Sequence, residues 1–167
     1  MRLPLQSIGS RWDKAKRERG QSLVELALSI PLLLMLVMGI IDLGFVLSAH
    51  VQVAAASGQG ARAGSLFAGD ELLTRDVNES NRLAVIQQAI LSSMGTLNTT
   101  SPNFDVNTDV QVSYPERDLS NPTGEGERIS VMVRYRQPLR FDLLPNSIPG
   151  VSSGYFTVSS TTTMRIQ

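Results

Sequence analysis

The sequence predicts an α+β fold: a long N-terminal transmembrane helix that extends outward, and a second, amphipathic helix packed on a small antiparallel sheet of about three to four strands. Three observations predict it. An uncharged apolar run, Leu26–Ile41, follows a strongly basic head. Apolar residues recur at three and four from Leu83 to Leu97, the spacing of one helix face. Three late segments alternate apolar and polar residues, the mark of half-buried strands. The expected organisation is a basic cytoplasmic leader at 1–20, a transmembrane helix at 21–49, a small-residue extension at 50–68 and an extracytoplasmic domain at 69–167. With 167 residues the chain holds one modest domain and an appendage.

The leader comes first in the chain. Formal charge is zero overall, but residues 1–20 carry six Lys/Arg against two acids, and the remainder carries nine Arg, no Lys and thirteen acids. Such asymmetry points to a membrane rather than to nucleic acid. Next, Leu26–Ile41 runs sixteen residues without a charge; Asp42 interrupts, and "LGFVLSA" carries the apolar character to Ala49. At about 1.5 Å per residue these lengths reach roughly 24 and 36 Å, which brackets a hydrocarbon core of about 30 Å. The basic flank puts the N-terminal end in the cytoplasm. A cleaved secretory signal is a poorer match, since its apolar region spans about 7–15 residues and ends near the cut. Pro31 removes one backbone donor and frees the carbonyl of Ala27, so a kink is expected there.

Beyond Ala49 the residues become small. Ala56, Gly60 and Gly64 fall four apart, a spacing that lets another backbone approach closely. Two readings stay open: packing on the chain's own domain, or bundling of a helix from about Ser22 to Phe67 with copies or partners. Polar "GDELLTRDVN" breaks the pattern, and Leu83, Ile86, Ile90, Met94 and Leu97 then define a helix over about Glu79–Leu97. The strands are expected in "FDVNTDVQVSY", "RISVMVRYRQ" and "YFTVSSTTTMRIQ", joined by loops at Pro115–Gly126 and Leu139–Gly154. One apolar and one polar face fit an antiparallel sheet covered on one side.

Groups able to do chemistry are few. There is no cysteine, so disulfides and thiol catalysis are excluded. Asp105, Asn107, Asp109 and Glu116 imitate a calcium loop, but Val110 stands where the loop needs Gly. On a strand the ligands would spread over about 13 Å, so no metal site is expected. His50, the lone histidine, has no second ligand or nucleophile near it in sequence. No framed nucleophile or phosphate loop appears, so the chain reads as a non-enzyme without cofactor. Arg134, Arg136 and Arg140 form a small basic cluster that reads as a solvated strand face, with a partner contact as the lesser reading.

Glu25 is the residue that asks for explanation, because a carboxylate at the mouth of an apolar segment needs a positive partner. Downstream no Lys or Arg occurs until Arg62. Arg17 and Arg19 could reach it from the flank. Alternatively, cleavage between Gly20 and Gln21 would create an α-amine four residues from Glu25, in the same or an adjacent copy.

"G-QSLVE" before a hydrophobic run resembles the processing signal of type IV prepilins, cut after Gly by a dedicated peptidase with Glu at mature position five. The wider pattern, "RGQSLVELALSIPLLLMLVMGIIDLGFVL" with "AAASGQGARAG" behind it, resembles the TadE-like family of minor pseudopilins of the tight-adherence (Tad/Flp) pilus and secretion machinery. Leu26 after Glu25, where the small major pilins usually carry Tyr, fits a minor component. The resemblance implies a single-pass protein of a bacterial or archaeal cytoplasmic membrane, with partners among the bilayer, other pilins or pseudopilins, Tad assembly proteins and a prepilin peptidase, in homo- or hetero-oligomers. Glu25 and Asp42 are the expected charge-pairing residues, and Ala56, Gly60 and Gly64 the packing ones. The alternative function is a tethered extracytoplasmic binding module that uses the helix only as an anchor.

Overall fold

The computed structural model describes the backbone of residues 9–141 and 149–167 and the side chains of residues 21–141 and 149–167. The side chains of the expected leader, Arg17 and Arg19 among them, and of Gly20 at the expected cut, lie outside the described residues. The chain divides into two compact units, Met1–Ile40 and Ile41–Gln167.

Helix α1 is assigned to Gly9–Ser65 and has Pro31 inside it. In the first unit every described residue from Gln21 to Val37 is exposed, with Leu28 and Leu32 more than 70% accessible. A helix that is apolar on all sides and uncovered has only lipid or other apolar helices as a stable environment. Ser29 donates its hydroxyl to the carbonyl of Glu25 at 2.7 Å, not to the carbonyl of Ala27 that Pro31 leaves free.

In the second unit, α1 from Ile41 to Ser65 supplies one wall of the core through Ala49, Val53, Ala56 and Ala61. Helix α2, Arg75–Ser93, adds Ile86 and Ile90. It starts and ends about four residues earlier than its apolar spacing suggests. Gly95 takes φ +63°, the left-handed conformation that terminates helices, so Met94 and Leu97 pack from beyond its end. The single turn α3, Val106–Asp109, leads into strand β1, Val110–Ser113. Strands β2, Arg128–Pro138, β3, Val151–Ser152, and β4, Tyr155–Arg165, complete an antiparallel sheet of order β1-β2-β4-β3.

Strand β2 carries the expected alternation: Ile129, Val131, Val133 and Tyr135 are buried, and their neighbours are half-buried. Two differences from the sequence reading have local causes. Phe104–Asp109 is not strand, because Asp105 caps α3 by accepting from the Asn107 amide at 2.9 Å, and Asp109 accepts from the Asp105 amide at 2.9 Å. Within the expected loop 139–154 a hairpin forms instead. Ser153 (φ 48°) and Gly154 (φ 80°) make a two-residue turn with both φ positive, which suits the twist of paired strands.

Inner-facing Ser160 and Thr162 on β4 are polar where the alternation would favour hydrocarbon. They meet Ser57 of α1, whose hydroxyl lies 3.1 Å from Ser160 Oγ and 2.9 Å from Thr162 Oγ1. Small residues bring the helix close enough for hydroxyls to satisfy one another across the seam.

Candidate functional site

The singled-out residues that are described each have a definite place. Glu25 is exposed and accepts from Gln21 Nε2, one turn earlier, at 3.1 Å. A neutral amide satisfies an oxygen but leaves the charge uncompensated, so within the first unit Glu25 belongs to no ion pair among the described residues. Asp42 is 2% exposed. Its Oδ1 accepts from the Arg140 amide at 2.9 Å and its Oδ2 from the Phe141 amide at 3.2 Å. The carboxylate thus finds donors within its own chain, 98 residues away, and fixes the turn that follows β2. Above the turn, the Arg140 guanidinium lies 4.9 Å from the centroid of the Phe45 ring.

Ala56, Gly60 and Gly64 are buried against the chain's own domain. A Cβ on Gly60 would stand 2.8 Å from Ile90 Cγ1, and one on Gly64 2.7 Å from Ile86 Cδ1 and 2.9 Å from Ile129 Cδ1. Absent side chains therefore set how closely α1 approaches α2 and β2. His50 is exposed and lines a mainly apolar groove with Leu43, Val46, Leu47 and Phe156.

The three arginines of the β2 region do not act together. Arg136 is tied to both oxygens of Asp109, at 3.1 and 2.9 Å, and to the Pro102 carbonyl. Arg140 stacks on Phe45 instead. Asp105 and Asp109 are occupied with the α3 cap and Arg136, and no group of three ligand-type side chains converges on an ion among the described residues.

A polar cluster at the start of α2 escaped the sequence reading. Arg75 is 4% exposed; its Nη2 donates to Glu127 and its Nε to Glu79, both at 2.6 Å, and its Nη1 to the Asn121 carbonyl at 3.2 Å. Asn78 bridges two loops through the Asp70 and Pro122 carbonyls, at 2.8 and 2.9 Å. Arg82, fully buried, donates to the Thr123 carbonyl at 2.6 Å, and its guanidinium faces the rings of Phe67 and Tyr114. Its Nε and Nη1, like the Tyr114 hydroxyl, have no hydrogen-bond partner among the described residues. Burial pushes the Tyr114 hydroxyl above its usual pKa, against the opposing pull of Arg82. The cluster ties loops 69–74 and 115–127 to α2 and is structural. Its signal was available: Arg75, Asn78, Arg82, Ile86 and Ile90 recur at three and four, continuing the core stripe with polar residues.

A helix long and apolar enough to cross a membrane, in a chain whose second unit is an α+β domain packed on small helical residues, fits the class of single-pass membrane proteins. The family model for TadE-like protein matches residues 20–62, the stretch that holds Gly20, Glu25, Asp42, Ala56 and Gly60. No curated protein and no solved structure matches the chain.

Proposed function

We propose that the protein is a non-enzymatic, pseudopilin-like component of a Tad/Flp pilus assembly or secretion machine. Its N-terminus lies in the cytoplasm and residues 69–167 lie outside. A prepilin peptidase cuts between Gly20 and Gln21, and the new amine meets Glu25 of the same or an adjacent copy. The observation that carries this reading is the state of Glu25: an exposed carboxylate at the start of an uncovered apolar helix, bonded only to a neutral amide among the described residues. A charge so placed is costly in lipid unless assembly supplies a cation. The family match over residues 20–62 supports the same reading. Mass spectrometry of the protein from its native membrane tests the cut: a chain beginning at Gln21 is expected, and one retaining residues 1–20 refutes processing. Glu25→Ala should keep membrane insertion and lose pilus output, and unchanged output would remove the assembly role.

A second reading, the tethered binding module, draws on a groove of about 690 Å³ between α2 and β1, lined in part by Glu79, Leu83, Tyr114 and Met132. It requires function to survive replacement of residues 21–49 by an unrelated membrane helix; the assembly reading requires the opposite.

A further inference from the structure

We propose that the turn after β2 is a bilayer seat: Arg140 contacts phospholipid headgroup phosphate, while Phe45 and Phe141 lie at the boundary between headgroups and acyl chains. This rests on the reading that α1 crosses a membrane. A hydrocarbon core of about 30 Å takes up about 20 helical residues, and counted from Leu26 these end at Phe45. Interfaces at that depth favour aromatic rings and long basic side chains, the rings because they are amphipathic and the bases because apolar stems can lie in lipid while the charge reaches the phosphates.

The second unit gathers this set of groups around Asp42. Both carboxylate oxygens are spent on the amides of Arg140 and Phe141, so the turn is held against α1. Arg140 is exposed, 4.9 Å from the Phe45 centroid, and forms no ion pair among the described residues. Phe45 and Phe141 are 39% and 40% exposed, and on the opposite flank of α1 at the same level Leu43 and Leu47 are more exposed still. In water the turn and both flanks of α1 at this level would leave aromatic and aliphatic surface uncovered. Exposed rings and leucines require an apolar environment and the Arg140 charge is complementary to phosphate, so the bilayer boundary is the occupant that satisfies both.

The test uses the full chain, which has no native cysteine, carrying single nitroxide labels. The protein is reconstituted in vesicles of phosphatidylcholine and phosphatidylglycerol. Collision with oxygen and with a water-soluble nickel chelate then reports the depth of each label. A label at Leu33 tests the span and one at Leu72, which is 93% exposed, serves as the aqueous reference. A label at Leu139 tests the seat and should lie in the boundary region, about 5–10 Å below the headgroup surface. If Leu33 is deep but Leu139 matches Leu72, the seat is wrong and the span stands; if Leu33 is not deep, the span reading fails first. Arg140→Glu should reduce the seated population about fivefold or more, and Arg140→Lys should restore most of it. An unchanged depth in Arg140→Glu overturns the phosphate contact. Inorganic phosphate at matched ionic strength should leave the label in place; displacement would assign Arg140 to a soluble phosphoanion and overturn the lipid assignment.

Discussion

Gly64→Val tests whether the absence of a side chain fixes how α1 docks in the second unit. A Cβ at this position already stands 2.7 Å from Ile86 Cδ1 and 2.9 Å from Ile129 Cδ1. Carbon atoms rest comfortably at about 3.5–4.0 Å, so the wall must yield by close to an ångström. Valine adds two further carbons to the same gap, and both neighbours are fully buried, with little room to move. Overpacking of this kind costs about 1–3 kcal/mol, while the better helix propensity of valine returns only about 0.3 kcal/mol. The expected net loss is about 1–3 kcal/mol. For a domain of this size each kcal/mol lowers the melting temperature by about 3–6 °C. Gly58 is the internal control, because a Cβ there meets nothing within 4 Å. Gly58→Ala should therefore stabilise the helix by up to about 1 kcal/mol. Near-UV circular dichroism of the full chain in detergent micelles, followed through the melt, reads both. A Gly64→Val variant that melts with the wild type, or a Gly58→Ala variant that falls as far, refutes the argument.

Three other substitutions probe the polar contacts. Arg75→Met strands Glu127, whose side chain is 8% exposed, and should cost about 3–5 kcal/mol by urea denaturation, with part recovered when Glu127→Leu is added. Asp42→Ala removes the acceptor of two turn amides, so hydrogen exchange at Arg140 and Phe141 should accelerate markedly while exchange in β2 stays slow. Tyr114→Phe removes a buried hydroxyl that has no hydrogen-bond partner among the described residues and should leave stability at pH 7 unchanged or slightly higher. The folded-state pKa of Tyr114 is raised, so its proton is held in both states below about pH 10 and is lost first by the unfolded chain above it. Wild-type stability should therefore fall as pH rises past about 10, and Tyr114→Phe should fall less steeply.

Legibility in the sequence followed range. Strand β2 and the apolar half of α1 were readable because their pattern is local and long. The α3 turn was not, although Thr108 breaks the alternation between Val106 and Val110; the deciding bonds, from Asp105 and Asp109 to nearby amides, compete with strand pairing and leave no periodic trace. The β3–β4 hairpin was hidden in a stretch rich in Pro and Gly, where Ser153-Gly154 reads as loop until its strands are known. At the candidate site, the need of Asp42 for partners was evident, but those partners lie 98 residues further on. The readings of Ala56, Gly60 and Gly64 were evenly balanced because spacing shows that something packs closely, not what. The neighbours of Gly60 and Gly64 prove to be Ile86, Ile90 and Ile129 of the same chain, and Ala56 is buried in the same core.

That assignment changes what the rest of α1 has to explain. If small residues from Ala56 to Gly64 are spent on the chain's own core, they are not available to hold a second helix. The surface left for partners is then elsewhere, and the side-chain sizes along α1 show where. From Leu23 to Leu36 the large apolar residues are uncovered, and there Leu, Ile and Met prevail. From Ala49 onward the buried positions are Ala, Gly and Ser, with Val53 the one larger residue. Large residues suit lipid tails, which conform to any shape, whereas small ones suit a fixed protein wall that must be approached closely. Asp42 lies between these regimes and is the first fully buried residue after Gln21. On the proposed function, assembly in the membrane would thus depend on the first unit, where Glu25 is the charged group among the described side chains, and not on the Gly60–Gly64 pair. Glu25→Ala and Gly64→Val should accordingly separate: the first is expected to affect association with little change in domain melting, and the second to affect melting first.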